Sequence, residues 1–191
     1  MKKNNIIRVS IFLIMGSLLI FSSSCKKDDP IPLMIGQTHQ GGIIAYLLLP
    51  GDPGYNAEVQ HGLIVAPTDQ GIEIEWGCLN GSITGTGKEL GTGQANTTAI
   101  VSGCSVVNIA ARLCDDLILE GYSDWYLPSI DELNLIYVNL SSKSIGGFAD
   151  YRYWSSSQEA TQTAWREDMT LGFKAANTKS NLYYVRAVRS F

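Results

Sequence analysis

Cys25 is the residue whose chemistry the sequence specifies most sharply. It directly follows three serines, 22–24, and a mostly apolar run over 9–21 that comes after a basic N-terminal segment. A basic start, a short apolar run and small residues at a cleavage point are typical of a secretory signal peptide. The run is too short for a membrane-spanning helix, which needs about 20 apolar residues. We therefore predict that residues 1–24 are a signal peptide and that Cys25 is the first mature residue.

A cysteine at this position resembles the lipobox of bacterial lipoproteins, in which acyl chains such as palmitate modify the thiol. Ser22 stands where that motif usually has leucine, and an ordinary secretory signal with an incidental cysteine is the alternative. Two or three buried acyl chains, at roughly 0.8 kcal/mol per CH₂, would hold the protein to a membrane. The charged, proline-containing residues 25–35 predict an extended tether. The basic-then-acidic run over 26–29 resembles a signal for the outer cell surface, and a solvated spacer is the alternative. We expect a lipid-anchored protein of the cell envelope, at the outer membrane.

The side chains best suited to holding a ligand fall in the late loops between 141 and 181. They offer aromatic faces and hydrogen-bond donors of the kind that sugars use, and an ordinary polar surface is the alternative for each of them. The ligand-binding candidates are Tyr151, Arg152, Gln158, Arg166, Asp168, Asn177, Lys179 and Asn181.

Metal, cofactor and catalytic sites have little support in the sequence. Glu167 and Asp168 are two acids where calcium needs six or more oxygen ligands, and Arg166 beside them would oppose a cation. His39 and His61 lack partners at zinc-ligand spacing. No nucleophile motif accompanies either histidine. We expect no metal, no cofactor and no enzymatic activity.

Three cysteines remain after Cys25, and outside the cytoplasm two of them can pair. Sequence alone leaves three pairings open. Cys114 lies on the apolar face of a predicted helix, which favours a small buried core residue. Cys78 and Cys104 lie beside glycines at predicted ends of elements, so we favour a Cys78–Cys104 disulfide.

The charge balance bears on the class of partner. Loss of residues 1–24 takes away three of the 14 basic residues and none of the 18 acidic ones, which leaves a net charge of −7. This balance argues against nucleic acid as a main partner, although it allows a local basic patch. The remaining length suits one domain with a substantial core, which we place at 36–191.

The elements that must position these residues are predicted from periodicity. Apolar residues at helical spacing indicate three helices, of which the last has a capping box formed by Ser129 and Glu132. Gly121 is placed to end the second helix. The predicted helices are 96–103, with Asn96 or Thr97 near its N-cap, 109–118 and 130–140.

Strands are predicted on both sides of the helices. The first two could form a hairpin, and the next-to-last shows alternation that only Glu167 breaks. Strands, then helices, then strands indicate an α+β fold with a mainly antiparallel sheet. The predicted strands are 43–49, 62–67, 72–76, one that starts at 151, 165–173 and 183–191.

Several segments in order are similar to the Lcl C-terminal domain family, which is named after the tip of a bacterial collagen-like adhesin. The resemblance covers about 36–191 and is strongest from Gly121 onward. The segments are Gly121-Tyr122-Ser123-Asp124-Trp125-Tyr126-Leu127-Pro128-Ser129, Asp131-Glu132-Leu133, Tyr153-Trp154-Ser155-Ser156-Ser157, Ala164-Trp165 and Val185-Arg186-Ala187-Val188-Arg189.

The resemblance implies a C-type-lectin-like fold, in which two helices and a small twisted sheet support a long loop region. It also implies a place on bacterial surfaces, and the adhesin binds sulfated glycans. This chain has no collagen-like repeat, and its net charge disfavours a sulfated glycan. Trp125, Trp154 and Trp165 are interpreted as core residues.

These observations together predict a cell-envelope lipoprotein with a lectin-like domain. The domain is expected to bind a glycan or another extracellular ligand, with an adhesive role and without catalysis. The alternative is a structural or assembly lipoprotein that binds an envelope protein.

Overall fold

The computed structural model describes residues 31–191, so the predicted signal peptide and Cys25 lie outside the described residues. No helix within 31–191 is both long and apolar enough to cross a bilayer. Residues 32–191 pack as one unit. Leu33, at the end of the predicted tether, already contacts the core, and its backbone N–H donates to Gln60 Oε1 over 2.7 Å.

One sheet has four strands, and every pair of adjacent strands in it is antiparallel. The strands are β1 (Thr38–His39), β2 (Gly42–Leu47), β3 (Gly62–Val65) and β9 (Val188–Ser190), in the order β1-β2-β3-β9. The hairpin of the first two predicted strands is confirmed, because Ile43 pairs with Val65 and Leu47 with Gly62.

The second sheet has five strands and carries the late part of the chain. The strands are β4 (Gly71–Ile74), β5 (Arg152–Ala160), β6 (Thr163–Asp168), β7 (Lys174–Thr178) and β8 (Tyr183–Val185), in the order β4-β8-β5-β6-β7. Its pairs are antiparallel except for β5 with β8. The predicted α+β class with mainly antiparallel strands is therefore confirmed.

Two predicted late strands are corrected. The strand expected over 165–173 ends at Asp168, whose Oδ1 accepts from the N–H groups of Thr170 and Leu171 in a turn, and the chain then returns as β7. The single final strand expected over 183–191 is two strands in two sheets. The break comes at residues 186–187, where the Ala187 N–H donates to the side-chain oxygen of Gln70 and Ala187 O accepts from the Ala66 N–H, so the chain leaves one sheet for the other.

The helices are α1 (Gly93–Gly103), α2 (Ala110–Asp115) and α3 (Ile130–Asn139), and a 3₁₀ turn follows at Ser141–Lys143. The capping box of α3 is confirmed. Ser129 Oγ accepts from the Glu132 N–H over 3.2 Å, and Glu132 Oε2 accepts from the Ser129 N–H over 2.8 Å.

The two earlier helices differ from their predicted bounds for tertiary reasons. In α1 the predicted cap Asn96 lies within the helix, and its buried amide donates to Gly87 O and Ser156 Oγ. The second helix ends at Asp115 rather than at residue 118, and Leu119 and Tyr122 then bridge across a tight turn, so Gly121 lies in that turn and not at the end of the helix. Glycine is favoured at position 121 of that turn, where φ is +81°.

Two groups of buried side chains form the core. One contains Trp76, Trp125 and Trp154 between the sheets, α1 and α2, and the other lies under α3 around Tyr126 and Tyr153. Burial of Trp125 and Trp154 confirms two of the predicted core tryptophans. The third, Trp165, is only half-buried and belongs to the surface described below.

The cysteine predictions are confirmed. Cys78 and Cys104 form a disulfide with Cα atoms 5.8 Å apart, which joins the irregular 77–92 loop to the end of α1. Cys114 is free and fully buried, and burial raises the pKa of its thiol well above the usual range.

Candidate functional site

The register of β5, β6 and β7 brings several predicted ligand residues onto one face of the five-stranded sheet. Arg152 is opposite Asp168, and Asn177 is opposite Ala164, two residues before Arg166. Because side chains alternate along a strand, the four predicted residues on these strands project from the same face, namely Arg152, Arg166, Asp168 and Asn177. We call this surface the Arg152 face, defined by Tyr151, Arg152, Arg166, Asp168, Asn177 and Asn181.

Arg166 is held in place by two hydrogen bonds. Its Nε donates to Asn177 Oδ1 over 2.8 Å, and one terminal nitrogen donates to Phe173 O over 3.0 Å. Asp168 accepts backbone N–H groups of the β6–β7 turn. These side chains therefore have fixed orientations before any ligand arrives.

Arg152 is less fully satisfied than Arg166. Its Nε is buried and has no hydrogen-bond partner among residues 31–191, since the nearest carboxylate oxygen, Asp168 Oδ2, is 3.7 Å away. The guanidinium carbon lies 5.9 Å from the ring centroids of both Tyr151 and Tyr183. Aromatic rings thus orient the cation, and because the side chain is 43% exposed, its terminal N–H groups, rather than the buried Nε, are the donors that a ligand could reach.

The aromatic border of this face is partly open. Tyr151 is 43% exposed, and its ring centroid lies 6.2 Å from that of Tyr183 and 5.5 Å from that of Tyr184. Asn181 Nδ2 donates to the Tyr183 hydroxyl over 2.9 Å. Tyr183 is a member of this border that the sequence interpretation missed. Its position two residues after Asn181, at the start of a strand, was the available signal.

Gln158 and Lys179 lie on the same side of the sheet, since Gln158 is opposite Ala164, but their polar groups bond to each other and to the 81–83 loop instead of facing a ligand. Lys179 is fully buried, and its Nζ donates to Gly81 O over 2.8 Å and to Gln158 Oε1 over 2.6 Å. The ammonium group also lies 4.4 Å from the ring centroid of Trp76, and burial lowers its pKa to about 8. This pair fastens the 78–83 loop and supports the fold.

The opposite face of the same strands carries a hollow of about 120 Å³. Its lining residues are Lys88, Ile130, Asp131, Trp165 and Lys174. Lys88 Nζ lies 4.4 Å from the ring centroid of Trp165 and 3.0 Å from Glu159 Oε2, so the exposed part of the indole is already covered by a cation. Trp165, predicted to be a core residue from its size and its place at an element boundary, packs against the core with one side only.

Glu167 lies below that hollow, on the same face as Trp165. Glu167 is fully buried, and neither of its carboxylate oxygens has a hydrogen-bond partner among the described residues. Burial raises its pKa to about 8, which Lys174 partly offsets. Glu167 broke the predicted alternation of β6 because it is a polar residue on the inward face.

Metal ligands do not converge in the described part of the chain. No three histidine, cysteine, aspartate or glutamate side chains within 31–191 are grouped to hold an ion. Glu167 and Asp168 project from opposite faces of β6, so one cation could not bind both carboxylates. His61 Nδ1 lies 3.0 Å from Phe191 O, beside a hollow of about 320 Å³ that none of the predicted ligand residues lines.

Comparison with known proteins adds a family and a fold relative. The sequence profile of the Lcl C-terminal domain matches residues 68–189. The structure is similar to the crystal structure of a fimbrial protein from Bacteroides ovatus ATCC 8483, with a TM-score of 0.52 and 16% sequence identity. The similarity covers 77% of this chain and 43% of that chain, so it concerns the fold over less than half of the fimbrial protein. No curated protein matches the sequence.

Proposed function

The chain belongs to the Lcl C-terminal domain family, and on that premise we propose that its domain binds an extracellular glycan through the Arg152 face. The role is adhesive and involves no catalysis. The observation that carries the proposal is the presence of six predicted ligand residues on one surface, where the exposed end of the Arg152 guanidinium lies beside the exposed ring of Tyr151.

The chemistry of this surface fits a sugar unit. The ring of Tyr151 provides an apolar platform for the C–H face of a pyranose, and Arg152 and Asn181 provide donors at its edge. Two arginines and one aspartate make the face locally cationic although the mature chain carries a net charge of −7. A carboxylated sugar therefore suits the site better than a neutral one.

The location belongs to the same proposal. Acylation of Cys25 would hold the domain at the cell envelope, and the outer membrane with its surface is the compartment in which an adhesive domain meets a glycan. The three helices, the two mainly antiparallel sheets and the long 77–92 loop are compatible with a C-type-lectin-like architecture, which we propose for this chain. A fold relative described as a fimbrial protein supports a surface role.

A glycan array probed with the full chain tests the binding site. Tyr151→Ala and Arg152→Ala should each lower the signal at least tenfold, because each removes one half of the platform and donor pair. The matched controls are Tyr55→Ala and Lys143→Ala, an equally exposed tyrosine and an exposed cation elsewhere. Equal losses in the controls, or a wild-type chain that binds no glycan, would refute the proposal.

An envelope protein is the second candidate ligand. It is favoured by exposed apolar side chains beside the Arg152 face, since Leu171 is 62% exposed and Phe173 is 66% exposed. Crosslinking in intact cells separates the two functions. A single stoichiometric protein partner that is lost in Phe173→Ser, together with a silent glycan array, would favour the protein ligand.

A further inference from the structure

The outer edge of the five-stranded sheet is an open strand. Strand β7 lies at the end of the sheet order and makes its extensive contacts with β6 alone. Its residues are half-buried or exposed, and the exposed side chains of Leu171 and Phe173 lead into it. An open edge of this kind is a template for pairing with another strand.

The register shows which backbone groups of β7 are available. Asp168 N–H donates to Phe173 O, and Lys179 N–H donates to Gln162 O, so these are the hydrogen-bonded pairs of the antiparallel β6–β7 ladder. Hydrogen-bonded and non-hydrogen-bonded pairs alternate in such a ladder. The N–H and C=O groups of residues 174, 176 and 178 therefore point away from β6, and only the Thr178 carbonyl has another partner, the Asn181 N–H.

We propose that β7 pairs antiparallel with β7 of a second copy of this chain, centred on Ala176. Full overlap of the five residues places Ala176 opposite Ala176 of the second copy and Lys174 opposite Thr178. The outward backbone groups of one copy then meet those of the other, which forms about four hydrogen bonds between otherwise unpaired groups and two more where Thr178 O accepts a second N–H.

The side chains of β7 suit pairing with itself. Its central residue is Ala176, whose small side chain would lie beside that of its counterpart on one face of the sheet without crowding it. The only charge in the strand is Lys174, and the two copies of that lysine lie at opposite ends of the interface, about 14 Å apart. Like charges directly opposite one another would destabilise a sheet, and this register avoids them.

The pairing has a geometric consequence for ligand binding. Antiparallel strands related by a two-fold axis perpendicular to the sheet keep corresponding faces on the same side. The two Arg152 faces would therefore point in one direction on a ten-stranded sheet and could engage one polymer twice. The pairing itself depends only on the strand edge, so it does not require the proposed glycan.

Co-purification of two differently tagged full-length chains tests the central contact. Wild-type chains should co-purify. Ala176→Lys with Ala176→Lys, and Ala176→Glu with Ala176→Glu, should lose recovery at least tenfold, because like charges meet at the two-fold axis. Ala176→Lys with Ala176→Glu should restore it. Thr161→Lys and Thr161→Glu, in the exposed β5–β6 turn, are the matched controls that keep wild-type recovery.

Cysteine crosslinking in intact cells gives a second measurement that does not weaken the interface. Ala176→Cys should form a reductant-sensitive dimer, since its Cα atoms would lie about 5.5 Å apart. Thr178→Cys should not, because its two copies lie at opposite ends. Absence of wild-type co-purification, failure of the mixed charge pair, or equal crosslinking at the two positions would overturn the proposal. Retained dimerisation in Arg152→Ala would separate this result from failure of the glycan site.

Discussion

At the scale of single residues, Glu167 is the side chain whose environment has the clearest energetic consequence. Its carboxyl group is fully buried without a hydrogen-bond partner among residues 31–191, and burial raises its pKa to about 8. In an unfolded chain a glutamate has a pKa of about 4.3. The folded state therefore binds a proton more tightly than the unfolded state between these two values.

Glu167→Gln should make the free energy of unfolding less dependent on pH. In the wild-type chain this residue's contribution is fully present below about pH 4 and is lost as the pH rises towards 8, at up to about 1.4 kcal/mol per pH unit. The glutamine variant should consequently be more stable than wild type at pH 8, as measured by urea unfolding at several pH values. Glu58→Gln, at an exposed position, is the control. Parallel pH profiles for Glu167→Gln and wild type would contradict this reasoning.

At the scale of elements, the start of α3 connects local capping to the long 77–92 loop. Ser129 Oγ accepts from the Glu132 N–H and also lies 2.9 Å from Glu89 O, to which it donates. The buried Glu132 carboxylate accepts from the N–H of Ser129 and from the N–H of Gly91 over 2.9 Å. A capping box that is normally confined to one helix here also holds an irregular loop in position.

Ser129→Ala should therefore lower the free energy of unfolding by about 1–2 kcal/mol, at the upper end of the usual cost of losing an N-cap. The reason is that both the helix cap and the bond to Glu89 are lost. Ser102→Ala, an exposed serine in α1, should change stability by less than about 0.5 kcal/mol. Chemical denaturation of the three chains measures the difference, and equal stability of the two variants would exclude the coupling.

At the scale of the whole molecule, Arg186 connects the point where the chain changes sheets to two other segments. Its side chain is 1% exposed and donates to Asp69 Oδ1 over 2.6 Å, to Ala66 O over 3.1 Å and to Gly146 O over 2.8 Å. The guanidinium carbon also lies 4.3 Å from the ring centroid of Phe148. One buried cation thus joins the end of β3, the 146–148 loop and the β8–β9 connection.

Asp69→Asn should lower the free energy of unfolding by about 3 kcal/mol, because it leaves the buried charge of Arg186 uncompensated. The matched control is Asp124→Asn, which removes the partner of Arg189. Asp124 is half exposed, so its loss should cost less than about 1 kcal/mol. Thermal and urea unfolding of both variants measure the two costs, and similar values for them would show that Arg186 does not join these segments.

Features that depend on neighbouring residues could be predicted from the sequence. The capping box and bounds of α3, the β2–β3 hairpin and the burial of Cys114 follow from residue spacing within a few turns or one strand pair. The family assignment follows from ordered motifs in the same way. Six of the eight predicted ligand residues also lie together. Four of them share one face because side chains alternate along strands β5 to β7, and Tyr151 and Asn181 lie at the border of that face.

Only the tertiary structure decided the features that depend on distant partners. Lys179 and Gln158 are of residue types that usually lie at the surface. Lys179 is nevertheless buried, because Gly81 and Trp76 of another segment contact its ammonium group. The split between β8 and β9 and the short α2 also depend on contacts that no local pattern reports. Local spacing determines whether a segment is a helix or a strand, whereas burial and strand order are set by the free energy of packing the whole chain.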